Sequence, residues 1–139
     1  MAIFTIEQIE DAFLAKLTAE IGSGSSLNPN WGVEPYPDDP DNYEFTHYNG
    51  GVLIKYGGSQ FGQAQMLMQE RKARWDFVVW ARWLRSPTGI YALLELVRKY
   101  MSSMQPRTSQ TDESFILHED GIWQYGMRFE VDYIYQLGM

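Results

Sequence analysis

The sequence predicts an α+β fold: one domain in which a mixed or mainly antiparallel β-sheet carries two helices packed on it. Three observations predict it. Trp123, Tyr125, Met127, Phe129, Val131, Tyr133 and Tyr135 alternate with Gln124, Gly126, Arg128, Glu130, Asp132, Ile134 and Gln136. Period-2 alternation of this length gives a strand one dry face, and on a helix it would wrap bulk around every side. Two other segments, 5–21 and 87–102, carry apolar residues at helical spacing instead. Finally, 139 residues with 45% hydrophobic and 15% aromatic content suit a single core built on a sheet.

Thr5 followed by Gln8 forms a capping-box pattern, and Ile6, Ile9, Phe13, Leu17 and Ile21 recur until Gly22 ends the first helix. Glu7, Glu10 and Asp11 stand in its first turns, where negative charge suits the helix dipole. Gly22 to Asn30 reads as a connector rich in Gly, Ser and Asn. Trp31 to Tyr36 reads as a short strand stopped by Pro35 and Pro37. A polar loop follows, and then a buried strand over Gly51 to Ser59, its end marked by Gly57 and Gly58. Phe61 to Arg74 lacks a period and reads as a long loop, a candidate contact arm. Trp75 to Leu84 has apolar bulk on both faces, as a central strand does. Ser86 and Pro87 predict a helix start, and Ile90, Leu93, Leu94, Val97 and Met101 form its stripe. Gln105 to Glu113 reads as polar turn. Phe115 to His118 and Ile122 onward predict a closing hairpin through Glu119, Asp120 and Gly121.

Chemistry-bearing motifs are few. Asp38, Asp39, Asp41 and Glu44 gather acids, but without the loop glycine and distal Glu of a calcium loop they read as a solvated segment. His47 and His118 have no second ligand at metal-site spacing, so no metal is expected. Gly57-Gly58-Ser59 lacks the Lys and following helix of a phosphate cradle, and no Ser sits in a nucleophile elbow. No cofactor and no catalytic residue are therefore expected, and the chain reads as a non-enzyme. The absence of Cys excludes a disulfide framework or thiolate metal site. A net charge of -7 argues against a nucleic-acid-binding surface, although an acidic protein suits a polymer that must slide past. The N-terminal segment lacks a signal-peptide pattern, and no apolar run is long enough to span a bilayer.

Taken in order, the blocks VEPYP, GVLIKYGGSQF, WARWLRSPTGIYALLELVRKYM and HEDGIWQYGMRFEVDYIY resemble those of the Mu-like phage and prophage minor tail protein family, itself similar to tail terminators of long-tailed phages. Ile9, Glu10, Asp11 and Ala12 match its opening helix. Gly89, Leu93, Leu94 and Glu95 match a Gly-x-x-x-Leu-Leu-Glu helix, and Glu119, Asp120, Gly121, Ile122 and Trp123 match its acidic turn before the last strand.

The resemblance implies a virion structural protein, assembled in the bacterial host cytoplasm. It implies a homo-oligomeric ring, a hexamer, that caps the head-proximal end of the tail tube and ends polymerisation. Its partners would be the tube protein, the sheath protein of a contractile tail and neck or head-completion proteins, with DNA passing the lumen unbound. A neck or head-completion adaptor is the alternative. For oligomer or partner contacts the sequence offers Arg71, Lys72 and Arg74 on the arm, with Gln124, Arg128, Glu130 and Asp132 on the polar face of the last strand.

Overall fold

A computed structural model of the chain describes residues 5–22, 31–43, 49–65 and 68–136, with side chains through Tyr133. The first helix, α1 (Ile6–Glu20), starts from a complete capping box: the Gln8 amide donates to Thr5 Oγ1 at 3.1 Å, and the Thr5 amide donates to Gln8 Oε1 at 3.0 Å. Its buried stripe is Ile9, Phe13 and Leu17, with Ile21 buried just past the end. The predicted connector at 22–30 and His47 lie almost wholly outside the described residues, which resume with the short strand β1 (Trp31–Pro35). Strands β2 (Gly50–Phe61) and β3 (Met68–Ala81) follow, then α2 (Ile90–Met101), β4 (Thr108–Glu119) and β5 (Ile122–Gln136).

The five strands form one sheet in the order β1-β2-β3-β5-β4, with β1 parallel to β2 and every other pair antiparallel. The sheet is thus mixed and mainly antiparallel, and β3 is its central strand. Pro35 is tolerated because β1 is an edge. Both helices cover the same side, where one core gathers their stripes with Val52 and Ile54 of β2, Trp75, Phe77 and Val79 of β3, and Met127, Phe129 and Val131 of β5. Phe13 meets Trp75 and Phe77 edge-on at 5.3 and 5.8 Å between ring centroids, so one helical side chain ties α1 to the central strand.

Four boundaries differ from the sequence reading. Residues 68–74 are strand, not loop: β3 and β2 run on together past the helices, and there the side chains toward the solvent are charged while Ala73 and Arg71 face the other way. Charge on one face and small or polar groups on the other leave no apolar period to detect. Thr108 to Glu113 is likewise strand rather than turn, because β4 is an edge with only Thr108 buried in that stretch, and its order comes from pairing with β5. Helix α2 begins at Ile90, not at 87. The Ile90 and Tyr91 amides donate to the carbonyls of Trp83 and Leu84 at 2.8 and 3.1 Å, while Ser86 is used in a local turn closed by the Gly89 amide. The central strand ends at Ala81, leaving Trp83 exposed.

Gly57 and Gly58 do not end β2 but form a bulge within it, where the register slips between Tyr56 and Gly58 and Gly58 takes φ +118°. The closing hairpin matches expectation. Asp120 and Gly121 both have positive φ, 53° and 77°, which is the twist a two-residue β-hairpin needs.

A charge-balanced sheet face

Alternation along β3 and β5 sends every second side chain to the face without helices. At one end of that face Leu53, Trp80 and Ile122 form a small second core under Tyr36, Tyr43 and Val78. Gln124 lies here, lining a depression with Tyr36, Pro37, Pro40, Tyr43, Leu53 and Val78, and so stands apart from the other contact residues picked from the sequence.

The remaining face is open and charged. In register, Lys72 lies opposite Asp132, Arg74 opposite Glu130, and Asp76 opposite Arg128. Each pair joins opposite charges. The last of these belongs to a row crossing four strands: Lys55 on β2, Asp76 on β3, Arg128 on β5 and Asp112 on β4 alternate in sign. Asp76 is its hub. Its carboxylate accepts from Arg128 Nε at 3.1 Å and stands 3.9 Å from Arg74 Nε, while an Arg74 Nη donates to the Gly57 carbonyl at 2.7 Å. The bulge makes room, since a Cβ on Gly57 would collide with the Asp76 carboxylate and the Arg74 guanidinium.

Five of the seven sequence-picked residues, Lys72, Arg74, Arg128, Glu130 and Asp132, therefore meet on one face. Arg71 does not. It points to the helix side beyond the helices, nine-tenths buried, where its guanidinium donates to Ser59 Oγ and Tyr56 Oη at 3.0 Å each. The rings of Phe61, Tyr133 and Tyr56 surround it at 5.1, 5.6 and 5.7 Å, a cation–π cage that fixes the end of the sheet. Burial pushes the Tyr56 phenol up, but the Ser59 hydrogen bond and the Arg71 charge outweigh it, and the net shift is downward.

Sequence reasoning missed Lys55, Asp76 and Asp112, which complete the row. A lone Asp inside the apolar run from Trp75 to Ala81 was the available signal. The three cross-strand pairs with Lys55 and Asp112 count four cations and four acids, so the ladder itself is neutral while the chain carries -7, and Glu70 adds one further acid on the same face beyond Lys72. The excess acid lies elsewhere. Burial, then the neighbouring Asp11, Glu7 and Asp38 carboxylates, holds Glu10 above the usual carboxylate range. Among the described residues no group of His, Cys, Asp and Glu could hold a metal ion, and no helix is long and apolar enough to cross a membrane.

Fold and face together define a class: a small α+β sheet domain, helix-covered on one side, with an open side of ordered opposite charges. The chain belongs to the Gp37 protein family, whose model matches residues 25–135, and it is thereby a phage-associated protein. No curated protein matches it.

Proposed function

We propose that this protein is a structural subunit of the phage tail, without catalytic activity, that assembles into a ring at the head-proximal end of the tube, ends tube and sheath polymerisation and joins the tail to the neck. Membership of a phage-related family supports the setting. The observation that carries the reading within that setting is the ladder on β3 and β5. A neutral, alternating charge pattern on an otherwise uncovered sheet face specifies register against a protein partner of matching pattern and penalises mismatched ones. A DNA-binding surface would need net positive charge.

The ring, a hexamer by resemblance, gives a role to both charged regions. The ladder faces protein: a neighbouring subunit, the tube or the sheath. The acidic surface formed by Glu7, Glu10 and Asp11 with Asp38 suits the lumen, where like charge keeps DNA from adhering. Removing the protein from its phage tests the proposal. Tails of irregular and excessive length that fail to join heads are expected in electron micrographs. Tails of normal length with a defect confined to DNA packaging would instead identify a neck or head-completion adaptor.

A further inference from the structure

The signs of the charge ladder are antisymmetric about the boundary between β3 and β5. On one side of it Lys72, Arg74 and Asp76 run positive, positive, negative, and on the other Asp132, Glu130 and Arg128 carry the opposite sign at each step. The row through Asp76 extends the rule one strand further out, where Lys55 of β2 and Asp112 of β4 are again opposite in sign. All eight lie on the helix-free face, and none is buried. A half-turn about an axis lying along that boundary exchanges β3 with β5 and β2 with β4 and leaves position along the strands unchanged. It therefore sets each of the eight charges against its opposite on a second copy: Lys72 on Asp132, Arg74 on Glu130, Asp76 on Arg128 and Lys55 on Asp112. A half-turn about an axis crossing the strands at the centre of the ladder would instead stack Arg74 on Arg74 and Glu130 on Glu130.

We propose that free subunits pair face to face about this two-fold axis, each covering the ladder of the other. Stacked sheets lie about 10 Å apart, a gap that a Lys or Arg and a facing acid close from opposite sides. An apolar contact follows from the same operation. Ile116, 45% exposed, leans over Gly126, where an added Cβ would stand 3.5 Å from its Cδ1. The half-turn carries Gly126 onto Val78 and Ser114 onto Leu53, so it sets Ile116 against the depression that Tyr36, Tyr43, Leu53 and Val78 line on the other copy. The other charged strand residues of this face, Glu34, Glu70 and Glu119, stand at its margins, outside the grid. The contact is isologous, and a ring closed by one head-to-tail contact contains no such axis. The pair is thus a form of the unassembled protein, and it must open before the ladder can engage a tail partner. It does not depend on the ring reading.

Sedimentation of the whole chain tests the pairing. A dimer is expected at low salt, dissociating in about 1 M salt, where screening acts within about 3 Å. Lys72→Glu and Asp132→Lys change exposed residues, and each variant alone should self-associate at least about tenfold more weakly than the parent while melting as it does. Mixing the two variants should restore a dimer of unlike chains at parental strength, because position 72 of either copy then again faces an opposite charge at position 132 of the other. A parent that stays monomeric up to about 1 mM overturns the pairing. So does a dimer that both substitutions leave intact, or a mixture that stays monomeric. A closed ring of higher order unaffected by either variant would support the proposed function and still overturn this contact.

Discussion

The two faces of the sheet are drawn from the same strands, yet they do different work. On β3, Trp75, Phe77 and Val79 are buried under the helices, and the residues alternating with them at the open end, Lys72, Arg74 and Asp76, form the charge ladder. The helix side depends on volume and close packing, so its tolerance for polar change is small. The open side carries ordered charges at the surface, where each exposed pair contributes little to folding, and in the proposed function their order serves to discriminate between partners. Core packing and the proposed recognition surface are thus separated by one residue of register.

Substitution on the helix side should have the largest effect. Leu94 of α2 is buried in the main core, and Leu94→Asp places an unpaired carboxylate there, with an expected loss of about 3 kcal/mol or more in chemical denaturation. A variant that melts like the parent would mean that α2 does not hold the sheet.

The open side should respond more weakly. Asp76 bridges two guanidiniums at the surface, so Asp76→Ala is expected to cost less than about 1 kcal/mol of stability. Its effect should appear instead in assembly, as a loss of ring or tube-end binding that greatly exceeds the change in melting. Equal losses in folding and assembly would collapse the distinction between the two faces.

Smallest of all is the effect at Glu10. Its folded-state pKa is raised by burial and by neighbouring acids, so the folded chain binds that proton more tightly than the unfolded one. The stabilising contribution is therefore present below the unfolded carboxylate value and is lost as pH rises through the folded one. Glu10→Gln should raise stability near neutral pH by roughly 0.2–0.5 kcal/mol, the size of a like-charge helix pair, and the gain should vanish in acid. Melts across that pH range read the sign.

Much of this architecture was determined by sequence alone. Both helical stripes, the capping box at Thr5 and Gln8, the alternation of β5, the Asp120-Gly121 turn and the centrality of the 75–81 strand are local patterns in which side-chain period matches backbone period. Five residues of the open face were also legible, as the polar half of the β5 alternation and the basic run beside Trp75. Three things were decided only by tertiary structure. Residues 68–74 and 108–113 become strands because their neighbours supply hydrogen bonds, not because their own side chains call for burial. Arg71 turns away from Lys72 and Arg74 because adjacent strand positions face opposite ways and aromatic rings from the two flanking strands, β2 and β5, converge to cage it. The pairing of Lys72 with Asp132, Arg74 with Glu130 and Asp76 with Arg128 depends on the register of β3 against β5, whose nearest such partners, Asp76 and Arg128, are 52 residues apart in the chain. A single sequence lists those charges, and only the alignment of one strand beside another puts each opposite its complement.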